Sequence, residues 1–179
     1  MIGAITAGIF GRAIPPVLSS YESIATVLVG SGGASSITFS SIPSDYDHLQ
    51  IRGFARTSTG AWLATQINGD TSTGYASHAI WGNGSSANAF GTGTGVATYG
   101  YTSLFDAATT GGLVMDILDY KNTNKNKTVR ILWGNDRNGS GEVGMNSFFR
   151  PSQLGAITTI NIAAPFLEHS QFALYGIKG

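Results

Sequence analysis

A reaction in this chain would rest on few residues: three histidines and ten Asp plus Glu in 179 positions. His48, His78 and His169 stand at no metal-ligand spacing to one another, and no His-Glu-x-x-His pattern occurs. Two carboxylates suffice for glycoside hydrolysis when a fold brings them together. Asp116 and Asp119 fall three apart in one expected strand, which puts them on opposite faces. Asp45 and Asp47 lie two apart beside a turn and share a face; with Asp70 they are the oxygen-rich positions that would suit calcium. Neither an EF-hand nor a Gly-Asp repeat accompanies them. A serine nucleophile on an α/β-hydrolase elbow would need Gly-x-Ser-x-Gly, which is absent. Gly91-Thr92-Gly93-Thr94-Gly95 lacks the lysine and the strand-to-helix setting of a phosphate cradle, and reads as a loop. Cysteine is absent, so disulfides, zinc thiolates and thiol chemistry are excluded. These residues predict no enzyme, no metal and no cofactor.

Aromatic side chains offer a second chemistry. Trp62, Trp81 and Tyr101, with Tyr75 and Tyr99, stand near Gly- and Asn-rich stretches. Exposed, such rings stack on the apolar faces of sugars. Buried, they fill the core or a subunit interface, as most aromatics do. Lys121, Lys125 and Lys127 interleave with Asn in one turn, and read as a solvated hairpin tip rather than a nucleic-acid patch.

The bulk composition agrees with a protein of contacts. Charged residues make up 11% of the chain, against about 25% in typical domains. The formal net charge is 0, so no field steers the chain toward nucleic acid or an anionic membrane. A surface built of Ser, Thr, Asn and Gly is cheaper to desolvate in an assembly than a charged one.

The elements that would position these residues are strands. From Tyr21 the chain alternates: Ile24, Thr26 and Leu28 on one face, Ala25, Val27 and Val29 on the other. Gly30-Ser31-Gly32-Gly33 supplies a turn, and Ile37 and Phe39 then share a face. After Pro43, Leu49, Ile51 and Gly53 point inward while His48, Gln50, Arg52 and Phe54 point out. Further strands are expected at Trp62–Asn68, Tyr75–Trp81, Leu113–Tyr120, Thr128–Trp133, Val143–Phe149, Ile157–Ala163 and Gln171–Ile177. Gly82–Gly100 reads as a loop, and Ser103–Thr110 as one helical turn at most. About nine or ten short strands with turn signals between them predict an all-β antiparallel sandwich, jelly-roll-like, over residues 21–179.

Residues 1–20 form a separate unit. Ile2, Ile5, Ile9, Phe10 and Ile14 need a cover, and Pro15-Pro16 makes a stiff joint before the first strand. The apolar run is too short to span a bilayer and lacks the leading basic residues of a secretion signal. An extended arm that docks on a neighbouring subunit is expected.

Three blocks carry a family resemblance. Tyr21 to Arg52, Gln66-Ile67-Asn68-Gly69-Asp70, and Ala173-Leu174-Tyr175-Gly176-Ile177-Lys178-Gly179 together resemble small virion structural proteins of tailed bacteriophages, with cyanophages and other aquatic phages nearest. The resemblance implies a β-sandwich subunit of the particle, made in the host cytoplasm, either decorating the capsid or belonging to the tail, baseplate or fibre. It implies other virion proteins as partners and supplies no catalytic residue. Self-association is expected, with a homotrimer favoured. A carbohydrate-binding module that touches the host surface is the alternative, with Trp62, Trp81 and Tyr101 as its stacking rings.

Overall fold

Tight turns and alternating strands build two antiparallel sheets in the computed structural model of the chain. The structure describes residues 20–97, 100–105, 107–150 and 155–179, with their side chains except at 61, 94–96 and 101–104. The docking arm, with Ile2, Ile5, Ile9, Phe10 and Ile14, lies outside the described residues.

Twelve strands are described: β1 (Tyr21–Leu28), β2 (Ala34–Phe39), β3 (His48–Ala55), β4 (Ala61–Ile67), β5 (Tyr75–Gly82), β6 (Ala87–Ala97), β7 (Gly100–Phe105), β8 (Gly111–Ile117), β9 (Lys127–Asp136), β10 (Gly141–Arg150), β11 (Ile160–Phe166) and β12 (Gln171–Ile177). One sheet has eight strands in the order β1-β12-β3-β8-β9-β10-β5-β6, and the other has four, β2-β11-β4-β7. All described pairings are antiparallel. The all-β sandwich read from the sequence is the architecture found. Its order is nested. The first strand lies beside the last, the second beside the last but one, and β1, β2, β3 and β4 step from sheet to sheet in turn. Two hairpins, β5–β6 and β9–β10, widen the larger sheet beyond the span of the smaller one.

The core is the space between the sheets. Leu49 and Ile51 of β3, Met115 of β8, Ile131 of β9 and Phe172 of β12 meet Ile37, Leu63, Ile160, Ile162 and Phe166 from the smaller sheet. The inward set predicted for β3 holds residue for residue, and Phe54 points to solvent. The β4–β5 turn follows directly from its sequence. Asn68 and Gly69 both take positive φ, 53° and 66°, as the two central residues of a type I′ turn must, and Asp70 N–H closes it on the Ile67 carbonyl at 3.0 Å. The Asn68 side chain then holds the approach to β11. Its amide donates to the Ala156 carbonyl and its oxygen accepts from the Thr158 and Thr159 N–H groups.

Four expectations are corrected. Gly82–Gly100 is not a loop: Ala87–Ala97 is an eleven-residue edge strand paired to β5. The segment expected to make a helical turn begins instead inside β7. A bulge between Ser23 and Ala25 breaks the alternation of β1, so Ile24 packs on the core rather than sharing the outer face of Thr26 and Leu28. The strand expected to run to Tyr120 ends at Ile117, which leaves Asp119 in a turn with φ of 51°.

Candidate functional site

The carboxylates and histidines are dispersed into local pairs. Asp47 accepts from Lys121 at 3.0 Å and from the Gly179 N–H, and these two partners hold its carboxyl below the usual range. Asp119 is likewise lowered by Lys125, whose Nζ sits 2.7 Å away, and its N–H donates to His48 Nδ1. Asp116 pairs with Arg130 at 3.2 Å. Among the described residues no three of His, Cys, Asp or Glu gather as metal ligands would. Asp70 is tied most firmly. Arg150 Nε donates to it at 2.6 Å, the Ser72 N–H and hydroxyl bind its other oxygen, and its pKa is pulled down to about 2. Arg150 also lies over the ring of Tyr75, so this pair clamps the β4–β5 turn to the end of β10.

The lysines of the β8–β9 turn divide. Lys121 and Lys125 are exposed, as a solvated tip requires. Lys127 is buried where β9 begins and donates to the Asn122 carbonyl, and loss of hydration pushes its pKa down. The reading of all three as solvated is therefore corrected for Lys127: a backbone carbonyl of the turn takes the place of water at its ammonium.

Trp62 and Trp81 meet each other. Their rings are 5.4 Å apart at 80°, and Trp62 makes a second edge contact at 5.7 Å with buried Trp133. A bulge between Trp62 and Ala64 turns Trp62 toward the larger sheet. Both tryptophans are half-buried against the core, and Trp133 donates its indole N–H to Asn146 at 2.8 Å. Gly144 lies between Trp133 and Trp81 in one cross-strand row, and a Cβ there would sit 2.6 Å from the Trp133 ring. Tyr101 lies on β7, opposite Ala64, and its side chain is outside those described.

The feature the sequence reading missed is the outer face of the eight-stranded sheet. Strand pairing aligns two rows across it. One runs Phe54, Gly112, Gly134, Val143, Gly82, Ala87; the other runs Arg52, Val114, Leu132, Met145, Ile80, Ala89. Phe54, Ile80, Leu132, Val143 and Met145 are each 53–64% exposed. Val143 stands between two glycines and forms a ridge. On one side a hollow of about 350 Å³ lies over Gly112 and Gly134, with Phe54 as its far wall. On the other a hollow of about 560 Å³ lies over Gly82 between Ile80 and Ala87. The next row along the strands is polar. Tyr21 O–H donates to Gln50 at 2.6 Å, Gln50 Nε2 donates to Asp116 at 2.8 Å, and Arg52 lies over the stacked rings of Tyr21 and Tyr175. Burial raises the Tyr21 hydroxyl, and Arg52 opposes it.

No family model, curated protein or solved structure matches this chain. The site must be judged on its own chemistry. An apolar band beside an internally paired polar band offers contact surface, and the paired groups on this face are committed to one another.

Proposed function

We propose that this chain is a structural protein of a tailed-phage particle, working by protein–protein contact, and most specifically a decoration protein on the capsid. The observation that carries the reading is the contiguous apolar band on the outer face of the larger sheet, since patches of this kind mark interaction surfaces. The sequence resemblance supplies the particle. Two of its blocks are partners in the fold: β1 and β3 of the first flank β12 of the last. The nested strand order supports a jelly roll with two added hairpins, an architecture found in viral capsid and lectin domains. Compactness favours the capsid over the tail, because the described residues include no shaft or coiled coil. In this reading the partners are other virion proteins and further copies of the chain, the apolar arm fastens the subunit, and assembly takes place in the host cytoplasm.

Immunogold labelling of purified particles tests the location. Label over the capsid is the expected result; label on the tail reassigns the protein to the baseplate or fibre, and unlabelled particles overturn the reading. Removing residues 1–20 is expected to leave the melting transition of the isolated domain unchanged while the truncated protein fails to enter particles. Normal incorporation would refute the role given to the arm.

A further inference from the structure

We infer that the outer face of the eight-stranded sheet binds a second copy of this chain, two subunits packing face to face about a two-fold axis that runs between β10 and β5. The inference does not rest on the phage reading: it follows from the face itself and holds wherever the protein works.

Area is the first argument. Eight strands at ~4.8 Å spacing and about seven residues at ~3.4 Å give a face of roughly 900 Å². A stable interface buries about 800 Å² per partner, so one whole face meets the requirement. The apolar band alone covers roughly 400 Å² on the same spacings, too little for a dimer by itself but the right proportion for an interface core. The polar row of Tyr21, Gln50, Asp116 and Arg130 then forms one rim, its side chains hydrogen-bonded to one another within the subunit.

Charge is the second argument. From β8 to β6 the two apolar rows hold no ionisable side chain. A band of one sign laid against its own copy would repel itself. This band has nothing to repel, and the chain's formal net charge of 0 adds no long-range opposition.

Shape is the third. A two-fold interface requires one patch to be complementary to itself. The Val143 ridge beside the Gly82 hollow meets that condition: an axis between β10 and β5 lays each ridge over that hollow of the other subunit. Three-fold pairing needs two different patches, and the described outer face presents one. The inference therefore replaces the expected trimer with a dimer.

Analytical ultracentrifugation of the full chain, at concentrations from ~1 to ~100 µM, tests this in the range where interfaces of this size associate. A species of twice the 18.6 kDa chain is expected. Leu132→Asp and, separately, Val143→Asp should each weaken the dimer at least about 100-fold, as loss of a central apolar contact and burial of an unpaired charge require. Both positions face solvent in the subunit, so circular dichroism and melting should match the parent. Leu118→Asp, an exposed apolar position in the turn after β8, should leave the dimer intact. Several outcomes overturn the inference: a monomer throughout, a dimer indifferent to both aspartates, a trimer of any sensitivity, or association lost on deleting residues 1–20, which would make the arm the occupant of the face.

Discussion

Single residues decide how the two tryptophans from the larger sheet pack. Gly144 stands where any Cβ would enter the ring of Trp133, and Trp133 in turn supports Trp62. Gly144→Ala is expected to cost about 1–3 kcal/mol in chemical denaturation, the usual scale of overpacking. Gly60→Ala, at a position with open space around it and no positive φ, should change stability little. The Asp70–Arg150 clamp makes a pH prediction at the same scale. The carboxyl titrates at about 2 in the fold against 3.8 when free, so its stabilisation is complete above the free value and is lost as pH falls through about 2. At this partly open site the loss should be about 1–2 kcal/mol once solvent screening is allowed for. Urea titrations between pH 5 and pH 2 should show it in the parent, and Asp70→Asn should remove that part of the pH dependence. An unchanged slope in the variant would show that the clamp contributes nothing.

At the scale of elements, legibility followed burial. β3 and β12 were readable because each sets apolar residues inward on alternate positions, and the β8–β9 hairpin was readable from its polar turn. β6 was not. Its Gly, Asn and Ala residues have weak strand preference, and as an edge strand it needs partners on one side alone. The bulges in β1 and β4 also left no mark in the sequence, because a bulge is a property of two paired strands and alternation is read along one. The contact face was hidden for a related reason. Phe54 was read as outward, but Leu132, Met145 and Ile80 become neighbours only once β9, β10 and β5 are set side by side in register. Separately, each is an ordinary exposed apolar residue; together they are a surface.

For the whole molecule, the larger sheet divides its labour: one face closes the core and, among the described residues, the other carries the exposed apolar band. The nested strand order that builds this arrangement also dictates when it can form. Thr26 pairs with Ala173, and Ile37 with Ile162, so both early strands wait for the last ones. On a ribosome, β1 and β2 emerge first and stay without their sheet neighbours until β11 and β12 leave the exit tunnel. Nearly uncharged strands held open in this way are vulnerable to pairing with other nascent chains. Chains stalled before Ile160 are therefore expected to remain protease-sensitive, with resistance appearing only after the last strand clears. Refolding of the released chain should run on the order of milliseconds to seconds, the range of sandwiches dominated by distant pairings. Early resistance in the stalled chains would mean that part of the sandwich folds before it is complete. The same topology that sets a broad apolar band on one face of the larger sheet thus makes synthesis the most exposed moment in this protein's existence.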